Sequence, residues 1–285
     1  MSYRYQATTL QHLLSNLITV VLLGFASSLP VSGEGGLGAS GGVKILTYNV
    51  RTSTADQEDV LLHNDWRQRK PMAIQMLKET MPDIIGIQEA TDGQVRDLEP
   101  GYKVLRQEEL ALLYQPARLE AVEGGFITLG VFGHPDPWGD RWAMWEVFRN
   151  REDGRTMLVV MTHLSTAEDQ VPQAKQVIQL ALEKGSPGLP VMVMGDFNFD
   201  ASGLLASSGF RDALRDRKGT FHAFKGGRTG PRLDFIGVSG CIVRDAKVDT
   251  RRERVDGKWV YPSDHYPVAA TIVLRGGISG NRAKP

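Results

Sequence analysis

Cysteine is almost absent. Cys241 is the single thiol in 285 residues, which excludes an intrachain disulfide and a thiolate metal cluster and leaves a small apolar residue expected in the core. Net charge is absent as well: Lys plus Arg number 33 and Asp plus Glu 33. A blanket electrostatic grip on nucleic acid is therefore not expected, although a local basic patch is compatible with that total. There is no HExxH-like histidine pair, which with the missing Cys pairs argues against zinc. No glycine-rich loop leads into Lys-Ser or Lys-Thr, so nucleotide-driven phosphoryl transfer is not expected. No Ser or Cys stands in a nucleophile-elbow pattern, so a covalent route has no support.

What is present starts with a stretch that reads as an export signal. Residues 1–16 carry Arg4 and no acid, residues 17–26 (LITVVLLGFA) form a mostly apolar run, and Gly24 and Ala26 supply the small residues a signal peptidase needs. Ten residues are too few to cross a bilayer, which takes about 20. Residues 1–26 therefore read as a secretory signal peptide, with an uncleaved anchor as the weaker alternative. The protein is expected to be exported, periplasmic or extracellular. Residues 27–42 read as a Gly/Ser linker, 43–275 as one folded domain and 276–285 as a flexible tail.

Within the domain, strand-like runs occupy residues 43–49, 83–88, 109–114, 119–127, 143–149, 156–162, 190–195, 233–238 and 267–274. Residues 66–80 and 168–183 have helical spacing, Pro71 marking either the true start of the first helix or a kink in it. Hairpin-like strands mixed with a few strand–helix–strand units fit two packed sheets covered by helices.

The chemistry sits where apolar strands end. Asn49, Glu89, His163, Asp196 and Asn198 all stand at or just beyond strand exits; Asp234 lies in LDFIGV, and Asp264-His265 precede the last strand. A rigid scaffold holds such positions while leaving them open to solvent. Glu89 and Asp264 are hard oxygen ligands suited to Mg²⁺ or Mn²⁺. Two histidines, paired carboxylates and amide side chains suit attack of water on phosphorus, with a base for the water proton and donors for the developing charge.

The blocks TYNVR (47–51), IIGIQEA (84–90), MTHLS (161–165), GDFN (195–198), RLDFI (232–236) and SDHYPV (263–268) resemble the endonuclease/exonuclease/phosphatase family, in order over nearly the whole domain. The resemblance implies a four-layer α/β sandwich, two mostly antiparallel sheets face to face with helices outside. It implies a metal held by Glu89 and Asp264 with Asn49 on the metal or the phosphate. Asp196 would orient or deprotonate the water, Asn198 and His163 would donate to the phosphate, and His265 would act as acid or base with Asp234 fixing its tautomer. Relatives divide the base role between Asp196 and His265, and both remain open here. Glu108, six before Tyr114 in EELALLY, and Arg141 in RWAMW are weaker substrate-binding candidates.

The chain departs from many secreted relatives in having Ser165 and Thr166 where THLDH is usual, and in a short loop from Glu99 to Glu108. The expected activity is metal-dependent phosphodiester hydrolysis on a phosphate-ester substrate, with nucleic acid as the leading class. A phosphomonoesterase, a phospholipid (sphingomyelinase-like) phosphodiesterase and a catalytically silent binding module are the alternatives. Seven basic residues between Arg211 and Arg232 could rim the cleft, and Arg251-Arg252-Glu253-Arg254 forms a further basic run. Trp138 could stack a base or touch lipid. A monomer without a stable protein partner is expected.

Overall fold

The computed structural model of the chain describes residues 42–59, 64–131, 136, 139–166 and 168–274. The expected signal peptide (1–26), all of the linker but Gly42, Trp138 and the tail (276–285) lie outside the described residues. The strands are β1 (Val43–Asn49), β2 (Ile84–Gln88), β3 (Lys103–Gln107), β4 (Leu110–Tyr114), β5 (Leu119–Thr128), β6 (Trp142–Asn150), β7 (Thr156–His163), β8 (Val191–Asp196), β9 (Arg211–Asp212), β10 (Asp234–Ser239), β11 (Cys241–Val248), β12 (Glu253–Val255), β13 (Lys258–Val260) and β14 (Val268–Leu274). The helices are α1 (Asp56–Asp59), α2 (Trp66–Thr80), α3 (Asp92–Leu98), α4 (Gln170–Lys184) and α5 (Ser202–Ser207).

Twelve of these strands form two six-stranded sheets built on one plan. Their orders are β11-β14-β1-β2-β4-β3 and β5-β6-β7-β8-β10-β9. In each, the two central strands are the only parallel pair, β1 with β2 and β7 with β8. A parallel pair needs a long crossover, supplied by a segment containing α1 and α2 in one sheet and by α4 in the other.

Strand period 2 explains the layers. Val43 and Ile45 of β1, Met157, Val159 and Met161 of β7, and Met192 and Met194 of β8 meet in the layer between the sheets. The intervening Leu46 and Tyr48 pack with Trp66, Ala73, Met76 and Leu77 of α2, and Leu158 and Val160 with Ala174, Val177 and Ala181 of α4. Strands covered on both faces are apolar at almost every position, and each such side chain taken fully from water contributes about 1.5–3 kcal/mol. This is the four-layer sandwich expected from the sequence.

Helix α2 runs through Pro71. Pro71 and Arg67 are both exposed, so the helical hydrogen bond that Pro71 cannot donate is lost on the solvent side of the helix. Part of the supposed loop from Glu99 to Glu108 is the edge strand β3, paired with β4. Gly195, just before Asp196, has φ +144°, and a Cβ there would fall 2.0 Å from the Thr162 carbonyl oxygen. Only glycine allows β8 to run this close to β7 at the Thr162–Gly195 pair.

Candidate active site

The C-terminal ends of the four central strands carry Asn49 (β1), Glu89 (just after β2), His163 (β7) and Asp196 (β8). Asn49 links the two sheets: its Nδ2 donates to Glu89 Oε1 at 2.8 Å and to Asp196 Oδ2 at 2.9 Å. Its Oδ1 accepts from the Arg51 N–H at 2.9 Å. The amide thus presents N–H groups to the cleft, and Asn49 aligns carboxylates here where a ligand oxygen toward a metal had been one of two expectations. Glu89 has φ +61°, which turns its carboxylate back over the strand end, where Oε2 accepts from the Thr52 N–H at 3.2 Å.

Asp196 is buried at the centre. Its Oδ1 accepts from the Asn198 N–H at 2.9 Å, and Asn198 Nδ2 donates to the Leu164 carbonyl at 2.8 Å. Asp196 Oδ2 lies 3.7 Å from both His163 Nε2 and His265 Nε2. His265 Nδ1 is 2.9 Å from Asp234 Oδ2, and Asp234 stands opposite Asp196 in the β8–β10 register. The other Asp234 oxygen, Oδ1, is buried and has no hydrogen-bond partner among the described residues.

The charges are mutually arranged. Burial alone would lower His265, but Asp234 and Asp196 hold it well above the ordinary histidine value. Burial likewise opposes His163, which Glu109 and Asp196 raise. Asp196 is raised, by burial first and by Asp234; such a shift brings a carboxylate closer to the range of an effective base. Glu89 is held low against its burial by His163, the Asn49 amide and His265. Asp264 is raised by burial and by the neighbouring Glu89 charge.

Two expectations are corrected. Glu108 is exposed, with φ +49°, in the two-residue turn between β3 and β4. Its neighbour Glu109 occupies the site instead, accepting from the Glu89 N–H at 2.8 Å and lying 3.1 Å from His163 Nδ1. Arg141 is buried, its guanidinium paired with Asp136 at 3.1 Å and 3.6 Å from Glu109. With Nη1 3.1 Å from His163 Nδ1, it buttresses His163 from behind. The basic segment is also partly spoken for, since Arg228 pairs with Asp216 and Arg232 with Asp212.

Sequence reasoning missed other members of the site. Arg51 Nη1 lies 4.0 Å from Asp264 Oδ2 while its Nε pairs with Asp59. Thr220 Oγ1 accepts from the Leu233 and Asp234 N–H groups, and the Phe221 ring lies 4.9 Å from that of His265. His222, stacked on Tyr266 at 3.9 Å, is pushed down to about 4 by burial and by His265. Arg51 was visible within TYNVR; residues 220–222 have no periodic signal.

Two groups of residues have the chemistry to hold a cation. Glu89 and Asp264 are hard carboxylates whose charges repel across the cleft, the imbalance a divalent ion would relieve. Asp196, Asp234 and His265 also bring ligand-type atoms within 4.8 Å of one another.

The sequence pattern of the Endonuclease/Exonuclease/phosphatase family matches residues 46–265. No curated protein matches the chain. Among solved structures, an endonuclease/exonuclease/phosphatase family protein from Bacteroides thetaiotaomicron aligns with TM-score 0.74 and 25% identity, over 82% of this chain and 98% of its own. The mannosyl-6-phosphatase Bt3783 of the same organism aligns with TM-score 0.70 and 24% identity, over 81% and 100%. D. rerio TDP2 complexed with single strand DNA product aligns with TM-score 0.63 and 16% identity, over 81% and 99%. With the fold, the strand-end residues and the family pattern in agreement, the chain belongs to the Endonuclease/Exonuclease/phosphatase family, whose members hydrolyse phosphoesters.

Proposed function

We propose that this protein is an exported, Mg²⁺- or Mn²⁺-dependent phosphodiesterase, with nucleic acid as its leading substrate class. The observation that carries the reading is the buried line Asp234–His265–Asp196, with Asp196 held by Asn49 and Asn198. An imidazolium beside a carboxylate of raised proton affinity suits attack by water on phosphorus. Asp196 takes the water proton, and His265, its ring oriented and its positive charge supported by Asp234, donates from Nε2 to a phosphate oxygen. His163, Asn198 and Arg51 supply further donors toward the developing charge. Phe221 forms a wall beside the reacting centre.

Glu89 and Asp264 are the better metal ligands. His265 Nδ1 is already engaged by Asp234, and Mg²⁺ prefers oxygen to imidazole. A divalent ion bound there would neutralise non-bridging phosphate oxygens. The expected export rests on residues 1–26 and is tested by the N-terminus of the secreted product, which should begin at Ser27.

The deciding experiment follows hydrolysis of plasmid DNA, RNA, bis-p-nitrophenyl phosphate, p-nitrophenyl phosphate and sphingomyelin by the purified chain, with and without EDTA. EDTA-sensitive cleavage of the diesters is the expected result. Turnover of p-nitrophenyl phosphate alone would move the reading to a monoesterase, the activity in the name of Bt3783. Silence on every substrate would defeat the catalytic reading.

A further inference from the structure

The strands β12 and β13 form a separate two-stranded hairpin in the chain just before Asp264. Its base is fixed. Arg251 pairs with Asp249 at 2.6 Å and with Glu79 of α2 at 3.0 Å, while Val260 and Tyr261 are buried. Between these anchors every residue from Arg252 to Trp259 is exposed. Trp259, 46% exposed, is a large aromatic held out of the core.

The hairpin register sorts its side chains. Arg254 stands opposite Trp259, and Val255 opposite Lys258. Directly opposed residues share a face, as do residues two apart, so Arg252, Arg254 and Trp259 lie together. The contacts agree: the guanidinium carbon of Arg252 is 4.0 Å from the Trp259 ring centroid and that of Arg254 is 5.9 Å away. Glu253, Val255 and Lys258 belong to the other face, and Asp256 to the turn. Among the described residues no carboxylate forms an ion pair with Arg252 or Arg254, in contrast to Arg228 and Arg232.

We propose that this hairpin face is a binding arm for single-stranded nucleic acid, holding nucleotides beyond the scissile phosphate. The inference deepens the phosphodiesterase reading and rests on it for the site the arm serves. A guanidinium stacked on an indole is oriented before any ligand arrives, so less freedom is lost when it grips a phosphate. An exposed indole offers a stacking surface to any base. A single strand presents phosphates and unstacked bases together; a duplex hides its base faces. The arm is near the chemistry: Trp259 precedes Asp264 by five residues, a reach of at most about 18 Å of extended chain. Arg252 also lies within electrostatic range of Tyr266, the residue after His265.

The test measures binding of a fluorescein-labelled single-stranded dodecamer to the full chain by anisotropy in EDTA, so that no turnover intervenes. R252Q/R254Q should weaken binding at low salt by roughly tenfold or more and flatten the slope of log Kd against log salt by about 1.4, the loss of two phosphate contacts. Trp259→Ala should weaken binding about fivefold or more, and Trp259→Phe should retain it. Wild-type affinity in R252Q/R254Q, or no binding by the wild type, would overturn the proposal. So would Trp259-dependent binding to vesicles of equal phosphatidylserine and phosphatidylcholine in place of the oligonucleotide, the behaviour of a membrane-contacting hairpin. Turnover of bis-p-nitrophenyl phosphate with Mg²⁺ separates the two readings. Oligonucleotide binding through the arm without turnover removes the catalytic reading alone, and turnover with arm-independent binding removes the arm alone.

Discussion

Arg69 and Pro262 lie 193 positions apart and are joined by a hydrogen bond, the Arg69 Nη1 donating to the Pro262 carbonyl at 3.3 Å. The same wholly buried guanidinium donates to the carbonyls of Val50 at 2.6 Å and Arg51 at 3.0 Å, and through Nε to Asn64. Tyr48 adds its hydroxyl to Pro262 at 2.8 Å. One planar cation thus ties the loop after Asn49 to the loop before Asp264.

That fork geometry is specific to arginine. Arg69→Lys should leave buried carbonyls unpaired and lower stability by about 3 kcal/mol, seen as a fall of several degrees in Tm. Below that Tm the variant should show a reduced kcat on bis-p-nitrophenyl phosphate, since both loops carry site residues. Wild-type kcat and Tm would show that the loops hold their places without the clamp.

Asp234→Asn tests the orientation of His265. Loss of the charge should bring the His265 pKa down from its raised position, moving the alkaline limb of the kcat profile to lower pH. Turnover should fall by roughly a hundredfold or more, the scale of a lost acid or base. Titration of Mg²⁺ binding by calorimetry should be little changed in D234N and strongly weakened in Glu89→Gln. The reverse result would place the metal in the Asp196, Asp234 and His265 cluster.

Glu146 sets a pH dependence of stability away from the site. It is buried in β6, where burial and Glu123 push its carboxyl up to about 7 against hydrogen bonds from the Val122 and Glu123 backbone. The folded chain binds this proton more tightly than the unfolded chain. Stability therefore falls as pH rises from about 4.5 toward 7, and the loss is complete above 7. Glu146→Gln should melt above the wild type at pH 8, with the gap closing toward pH 4.5; a constant gap across that range would remove Glu146 as the cause.

Gly195→Ala should be among the most damaging small substitutions. The added carbon would meet backbone at 2.0 Å, in a conformation with φ +144°, so β8 must shift and carry Asp196 with it. A loss of about 3 kcal/mol or more together with loss of activity is expected. Chemical denaturation and turnover on the same preparation check both.

Much of this arrangement was legible in the sequence because the central strands are covered on both faces. Such runs as VKILTYN and PVMVMG read as strands without needing alternation, and helix α2 has the bounds its periodicity predicts. The elements missed are short or lie at edges. In β11 a register shift between Val243 and Asp245 breaks the period, and α3 announces itself only through the Thr91–Gln94 capping box. Glu108 and Glu109 are the same residue type side by side, so sequence alone does not say which one the turn sends inward. Arg141 stood out only through the RWAMW block, and nothing in the sequence ties it to Asp136, which lies in a loop without periodicity.

Asn49 reaches Glu89 in its own sheet and Asp196 in the opposite one, and this makes the site a gauge of the protein's thickness. The spacing of those carboxylates is set by what fills the layer between the sheets, where Gly86 leaves room for the Met194 methyl group. A side chain that widens that layer, far from solvent and from any substrate, would open the gauge and detune the chemistry while every reacting group remained in place.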